Sequence, residues 1–296
     1  MSYSAQFQAH LDTKATTIAR AWAVTRQDGI VMGFTDHDRP LAFAGLTFQP
    51  ETGMSASALG QSSGLSVDNF EVVAALRADA ITEDDIRAGR YDGAELRSWL
   101  VNWADTSEHA LIFRGHLGEL TRNDGAFQAE LRGLSDRLNN QVGRVYHPAC
   151  SAVLGDGKCR FDPLQAGYFV ELAVEECEGA TRFSWQSLTG FEDRWFERGL
   201  LTVLDGAAAG LSGAVKFDRL AQDGRRVIEL WQSLRAELVA GDRVRIVAGC
   251  DRRAETCRLK FDNFVNFRGF PHIPGEDWLV SYPVSGGNYD GGSLFR

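Results

Sequence analysis

The sequence predicts a mainly β protein with short helices. Short apolar segments of strand length recur in both halves of the chain, separated by turn residues such as Gly, Asn and Asp. Segments with helical spacing are few and brief. With 296 residues, of which 44% are hydrophobic and 24% charged, the chain is large enough for two domains with their own cores. This combination favours β-barrels or sandwiches.

The N-terminal half is predicted to begin with a helix over residues 3–18, because Phe7 and Ile18 fall roughly on one face of it. A second helix is predicted at residues 82–86, where an N-capping threonine precedes three acidic residues. A third short helix is predicted at residues 134–140. The predicted strands of this half are residues 22–24, 30–34, 41–43, 46–48, 69–76, 94–103, 110–121 and 126–131.

The C-terminal half is predicted to contain short strands between two cysteine-bearing segments, residues 146–162 and 249–262. We place the domain boundary near residue 145, where the first of these segments begins. The predicted strands are residues 167–174, 183–188, 199–204, 214–219, 226–229 and 242–247. The resulting division is residues 1–145, residues 146–270 and a glycine-rich tail at residues 271–296.

Charge and targeting signals restrict the function classes. The net charge of −9 and the pI near 5.2 argue against general nucleic-acid binding, which usually requires a basic face. No stretch approaches the roughly 18 apolar residues that a membrane span needs. The start of the chain has no secretory signal, so we expect synthesis in the cytoplasm, where thiols stay reduced.

Four of the five cysteines form two pairs that are candidate metal ligands. Eight residues separate Cys150 from Cys159, and six separate Cys250 from Cys257. Glycines and arginines accompany each pair, and both backbone N–H groups and arginine charges would offset the negative charge of clustered thiolates. The fifth cysteine, Cys177, has no cysteine nearby and is interpreted as an ordinary thiol.

Several interpretations of these cysteines remain open at this point. Zinc ribbons usually place their cysteines two to four residues apart, which is closer than the spacings here. A four-iron cluster is larger and takes its ligands from looser loops, so the spacing favours an iron–sulfur cluster, with zinc as the alternative. Disulfides and unrelated buried thiols are the remaining interpretations.

Other groups of reactive residue types are predicted to be structural. Residues 36–38 read Asp-His-Asp, the residue types of an acid–base site, but their position between two strands favours a hydrogen-bonded turn. His147 is interpreted as a polar loop residue. The aromatic residues Phe264, Phe267, Phe270 and Trp278 are predicted to form a packed core. Because common catalytic motifs are absent from the sequence, we predict that the chain is not an enzyme.

Two segments resemble a family of phage tail hub proteins found in prophages and in gene transfer agents of alphaproteobacteria. Residues 22–38 read WAVTRQDGIVMGFTDHD and are similar to the opening of these proteins. Residues 249–277 read GCDRRAETCRLKFDNFVNFRGFPHIPGED and are similar to their C-terminal signature, which is the more specific segment. The resemblance extends over nearly the full length.

The resemblance implies a structural component of a virion tail tip. Hub proteins of this kind are homotrimers with tail-tube-like β-barrel domains that lie below the distal tail protein and carry tip or fibre proteins. A related C-terminal domain is cysteine-rich and contains an iron–sulfur cluster, which implies a 4Fe-4S cluster on Cys150, Cys159, Cys250 and Cys257. The tail at residues 271–296 would dock onto a neighbour such as a cell-wall peptidase, and DNA would pass the acidic wall without specific binding. The competing hypotheses are a zinc-stabilised binding module and an iron–sulfur redox enzyme.

Overall fold

The described part of the chain is mainly β with a few short helices, as predicted. The structure is a computed structural model that describes residues 3–50, 69–70, 82–123, 126–133, 143 and 145–273. The helices are α1 (Ala5–Asp12), α2 (Glu83–Arg87) and α3 (Ala254–Leu259), with a short 3-10 helix at Phe264–Asn266. The strands are β1 (Ile18–Thr25), β2 (Val31–Thr35), β3 (Leu41–Phe43), β4 (Leu46–Pro50), β5 (Asn69–Phe70), β6 (Glu95–Asn102), β7 (His109–Asn123), β8 (Ala126–Gly133), β9 (Phe169–Ala173), β10 (Glu176–Glu178), β11 (Arg182–Trp185), β12 (Leu200–Val203), β13 (Ser212–Leu220), β14 (Arg226–Leu230) and β15 (Arg243–Val247).

The first sheet has eight strands in the order β3-β4-β2-β1-β6-β7-β8-β5. All pairs are antiparallel except β2 with β4, which run parallel over a short register. The buried core of this sheet contains Phe43 and Phe48, whose stacked rings lie 4.3 Å apart, and Trp99 packs edge-on against both. Aromatic burial of this kind dominates the stability of a small sheet domain.

The second sheet has seven strands in the order β10-β11-β14-β13-β12-β15-β9, and its strand pairs are antiparallel. Leu201 pairs with Ile246, and both are fully buried in a core that includes Trp185. Both sheets are curled and open among the described residues, so the expected barrels take the form of half-barrels.

The first predicted helix is shorter than the sequence pattern indicated. α1 ends at Asp12, Lys14 adopts a left-handed backbone conformation with φ 59°, and Ile18 already belongs to β1. The cause is long-range pairing, because Ile18 lies opposite Asn102 of β6. Strand pairing therefore determines the structure where the helical spacing of Ile18 predicted otherwise.

The second predicted helix is confirmed as α2. The hydroxyl oxygen of Thr82 accepts a hydrogen bond from the N–H of Asp85 at 3.2 Å, as expected of an N-cap. The predicted helix at 134–140, the strand residues 71–76 and the tail from 274 onward lie outside the described residues. The division into 1–145, 146–270 and 271–296 stays a prediction. None of the described helices is long and apolar enough to cross a membrane.

Candidate metal centre

Both cysteine-bearing segments leave the second sheet at the same end. β15 ends at Val247, which lies opposite Phe169 at the start of β9. The chain before β9 carries the first cysteine pair, and the chain after β15 carries the second. The N–H of Ala248 donates to the carbonyl of Tyr168 at 2.7 Å, which continues the pairing beyond the strands. The register of one strand pair thus brings together segments that are far apart in sequence.

Cys150 lies buried between the second segment and the chain that follows it. Its backbone N–H donates to the carbonyl of Arg252 at 2.8 Å. Its Sγ accepts a hydrogen bond from the N–H of Arg268 at 3.3 Å. A Cβ at Gly269 would lie 2.6 Å from the carbonyl oxygen of Pro148. The two backbone segments can approach this closely because residue 269 is glycine.

Cys159 follows a turn that Asp156 organises. The carboxylate of Asp156 accepts hydrogen bonds from the N–H groups of Val153 at 2.9 Å and Cys159 at 2.6 Å. These backbone hydrogen bonds hold the pKa of Asp156 below its ordinary value, the one from Val153 having the largest effect. On its other side, Cys159 contacts the carboxamide of Asn263. The Nδ2 atom of Asn263 lies 2.8 Å from the carbonyl oxygen of Cys159 and 3.5 Å from its Sγ.

Cys250 follows a glycine that packs against the backbone of the loop before β12. The N–H of Gly249 donates to the carbonyl of Trp195 at 3.0 Å. Burial raises the pKa of the Cys250 thiol, and the neighbouring charges of Asp251, Cys159 and Cys150 raise it further. A hydrogen bond from the backbone N–H of Arg252 acts in the opposite direction.

Cys257 lies on the short helix α3. Its carbonyl oxygen accepts a hydrogen bond from the N–H of Asn263 at 3.0 Å, just beyond the end of the helix. The pKa of the buried Cys257 thiol is raised to about 11, first by burial and then by the charges of Cys250, Cys150 and Cys159.

The four candidate cysteines therefore lie near one another in the fold. The charges of the other three candidate cysteines all raise the pKa of Cys257. The charges of both members of the first pair also raise the pKa of Cys250. Like charges affect one another in this way when they lie within several ångströms. Cys177 lies elsewhere, on β10, where it packs against the core of the second sheet and burial raises its pKa.

Comparison with known proteins gives two family matches that together include all four cysteines. Residues 4–162 match the family described as baseplate hub protein, N-terminal attachment domain. Residues 194–277 match the family described as phage conserved hypothetical protein BR0599. The chain belongs to the baseplate hub protein family. The first match includes the first cysteine pair and so extends past the boundary predicted near residue 145.

A solved structure extends the likeness to almost the whole hub chain. It is a chain from the virion of a native gene transfer agent particle, with 62% sequence identity and a TM-score of 0.89. The alignment covers 98% of the hub chain and 100% of that chain. No curated protein matches the sequence. The predicted resemblance to phage and gene transfer agent hub proteins is confirmed.

Hydrogen-bond donors surround the sulfurs of the hub chain. The Sγ of Cys150 receives a backbone N–H, Cys159 receives a side-chain amide, and Cys250 receives the N–H of Arg252. N–H groups directed at sulfur stabilise the thiolate form, which is the form that binds metals. Three of the four candidate thiols thus receive N–H groups, and this donor set fits an iron–sulfur cluster, whose properties depend on hydrogen bonds to its sulfurs.

A partly buried lysine supplies positive charge beside Cys250. The ammonium of Lys260 donates to the carbonyl oxygens of Trp195 at 2.6 Å and Gly249 at 2.9 Å. It also lies 4.3 Å from the centre of the Trp195 ring. Burial lowers the pKa of Lys260 to about 8, and the charge of Cys250 opposes this shift. Lys260 therefore joins the loop around Trp195 to the segment that carries the second cysteine pair.

The spacing of the ligands matters for the kind of metal. Among the described residues, no group of three or more His, Cys, Asp or Glu is arranged to hold a metal ion. A tetrahedral zinc ion with bonds of about 2.3 Å would draw its four sulfurs to within roughly 4 Å of one another. A four-iron cluster binds each cysteine through a different iron and therefore tolerates larger distances between the four sulfurs. The metal-cluster domain itself stays a prediction.

A solvent-open cleft of about 780 Å³ lies next to the cysteines. Its lining includes Tyr168, Trp195 and Lys260 on one side, and Asp251 and Arg253 from the second cysteine segment.

The Asp-His-Asp sequence at residues 36–38 is a hydrogen-bonded turn, as predicted. The carboxylate of Asp36 accepts from the N–H of Arg20 at 2.7 Å, and His37 Nδ1 accepts from the N–H of Arg39 at 3.1 Å. The His37 ring packs on Trp103 with 5.2 Å between ring centres. His147 lies in the first cysteine segment, where its carbonyl accepts from the N–H of Phe270 at 3.0 Å.

The prediction of a packed aromatic core near the C terminus is wrong for one residue. Phe264 is 38% exposed, stacks on Phe267 at 5.4 Å, and is covered by the guanidinium of Arg258 at 4.7 Å. Phe267 and Phe270 are half-buried, and Trp278 lies outside the described residues.

Proposed function

We propose that this chain is the hub protein of the tail tip of a gene transfer agent or siphophage-like particle. The observation that carries the proposal is the match of residues 4–162 to the attachment domain of baseplate hub proteins. The 62% identity over 98% of the chain to a protein of a gene transfer agent virion supports it. The chain acts as a structural virion component, and no enzymatic step is assigned to it.

In the particle, the hub links the distal tail protein to the tip. We infer a homotrimer that carries a fibre-bearing tip protein and a cell-wall peptidase, with DNA passing through without specific binding. Among the described strands, β3 and β9 lie at sheet edges, and unpaired N–H and C=O groups at an edge can pair with strands of a neighbouring subunit. The net charge of −9 would limit adhesion of DNA to the channel wall.

The four cysteines hold an iron–sulfur cluster, most simply 4Fe-4S, that staples the two segments at the end of the second sheet. When bound, the cluster supplies four cross-links between segments that local hydrogen bonds alone would hold weakly. The chain supplies the thiols, the N–H groups of Arg252 and Arg268 that stabilise their charge, and the nearby ammonium of Lys260. Two of the thiols, those of Cys150 and Cys257, are buried, whereas those of Cys159 and Cys250 are partly exposed.

Metal analysis separates the iron–sulfur cluster from zinc. The protein is purified without oxygen, its visible spectrum recorded, and its iron, sulfide and zinc measured. Brown protein with iron and sulfide in equal amounts is expected. A colourless protein with one zinc would defeat the iron–sulfur proposal and favour a zinc-stabilised module, while the hub role would stand on its own evidence.

The hub role is tested in particles. Deleting the gene and supplying it in trans should restore complete tails and DNA delivery, and electron microscopy of the purified particles should place the protein as three copies at the tail tip. Complete, infective tails without the protein would overturn the proposal.

A further inference from the structure

Asn263 touches both cysteine-bearing segments at once. Its Nδ2 donates to the carbonyl oxygen of Cys159 at 2.8 Å and lies 3.5 Å from the Sγ of the same residue. Its backbone N–H donates to the carbonyl of Cys257 at 3.0 Å. One residue therefore connects a cysteine of the first pair with a cysteine of the second.

The orientation of the Asn263 carboxamide is fixed on its other side. Nδ2 of Asn266 donates to Oδ1 of Asn263 at 2.7 Å, so the oxygen faces Asn266 and the NH2 group faces Cys159. Among the described residues, Asn263 is the one side chain that donates to a candidate ligand sulfur, since Arg268 and Arg252 use backbone N–H groups. A side-chain donor can be removed by substitution without changing the backbone.

We infer that Asn263 is the positioning residue of the four-cysteine centre. The carboxamide fixes the Cys159 thiolate at its corner of the site and withdraws negative charge from its sulfur. This inference rests on the proposed metal-binding function. Hydrogen bonds to the sulfurs raise the reduction potential of an iron–sulfur cluster, and residues that orient metal ligands typically contribute 10- to about 100-fold to metal affinity.

The decisive variant is Asn263→Asp, which preserves the size of the side chain and the backbone bond to Cys257. It removes the donor and places a negative charge beside the sulfur. Gln165→Glu is the matched control, because it makes the same amide-to-acid change at an exposed position close to the first cysteine segment. Asn263→Gln retains an amide donor and serves as the conservative variant.

Two readouts are measured on the full chain purified without oxygen. The first is metal retained against increasing chelator. Asn263→Asp is expected to release its metal at about 10- to 100-fold lower chelator concentration than the parent, with Asn263→Gln in between and Gln165→Glu unchanged. The second is the reduction potential of the bound cluster, which should fall in Asn263→Asp and stay close to the parent value in Gln165→Glu.

Equal chelator resistance and equal potential in Asn263→Asp and the parent would overturn the inference. So would equal losses in Asn263→Asp and Gln165→Glu, which would reflect charge alone. Thermal unfolding of the metal-free proteins checks the fold. If Asn263→Asp does not fold, Asn263→Ala removes the donor without adding charge, and normal metal retention in that folded variant would also reject the role.

The outcomes for this inference and for the iron–sulfur proposal are distinct. A parent that holds zinc defeats the iron–sulfur cluster, while the chelator series still tests Asn263. A parent that holds iron and sulfide, combined with an unaffected Asn263→Asp variant, defeats Asn263 alone. A parent that binds no metal overturns both.

Discussion

Gly249 lies directly against the backbone of Glu197. A Cβ added to Gly249 would lie 1.7 Å from the carbonyl oxygen of Glu197, far inside van der Waals contact. The neighbouring N–H of Gly249 donates to the carbonyl of Trp195, so the glycine cannot move away without breaking this bond. The close approach fixes the start of the segment that carries the second cysteine pair.

Gly249→Ala is therefore expected to destabilise the protein. Forcing a methyl group into this contact should lower the free energy of unfolding by about 2–3 kcal/mol or more, because the obstacle is backbone and cannot rotate away. Urea unfolding measures the loss. Gly157→Ala is the control, since a Cβ there meets nothing within 4 Å. Equal stability of the two variants would contradict the packing argument.

A buried ion pair also holds the loop around Trp195, the loop against which Gly249 packs. Arg226 and Asp218 are both fully buried, with Nη2 and Oδ2 2.6 Å apart, and Asp218 accepts the N–H of Phe196 at 2.7 Å. The guanidinium also donates to the carbonyl oxygens of Phe191 and Glu192. The pair thus fixes the chain on both sides of Trp195.

Arg226→Met is expected to lower the free energy of unfolding by about 3–5 kcal/mol, because it leaves the Asp218 carboxylate buried without its partner. Arg225→Met is the matched control. Arg225 is the preceding residue, and its guanidinium pairs with Glu176 at the surface, so its loss should cost at most about 1 kcal/mol. Chemical denaturation compares the two, and a similar cost for both would show that the buried pair has no special role.

Local signals predicted the fold class and several elements but not the network around the cysteines. The N-cap at Thr82 and the cysteine spacings were visible because each depends on residues close in sequence. Ile18 was assigned to a helix because its strand partner Asn102 lies far along the chain. Phe264 was assigned to a core because apolar character alone does not reveal what covers a side chain.

Asn263 and Lys260 had no recognisable signal in the sequence. Their roles depend on the register of β9 against β15, which brings the two cysteine segments together. An asparagine six residues after Cys257 and a lysine three residues after it are ordinary in composition. Only the assembled backbone places their donors on Cys159 and Gly249.

Cys257→Ser tests whether the proposed cluster acts as a staple. The variant is expected to lose most of its bound metal. The stability of residues 146–262 should fall by up to the roughly 5 kcal/mol that closing a loop of about 100 residues contributes. Metal analysis and chemical denaturation measure the two effects. Cys177→Ser should retain its metal, because Cys177 packs against the core of the second sheet. Parent-like stability and metal content in Cys257→Ser would reject the staple.

Glu197 provides a pH-dependent contribution to stability. The hydrogen bond from Arg194 holds the pKa of Glu197 below its ordinary value of 4.5, and Arg219 adds to this effect, while burial opposes it. A carboxylate whose pKa is lower in the folded state stabilises that state above its unfolded pKa. The contribution is lost as the pH falls through the folded pKa.

Glu197→Gln should therefore lower the free energy of unfolding at pH 7 by about 1 kcal/mol or less, since both arginines are partly exposed. The difference from the parent should shrink as the pH falls below 4.5 and vanish once the pH has fallen through the lowered folded-state pKa, because the parent carboxylate is then protonated as well. Urea unfolding across this range measures the difference. Glu237→Gln, at an exposed position, should follow the parent at every pH. A difference for Glu197→Gln that stays constant or grows as the pH falls would show that the glutamate does not act through its charge.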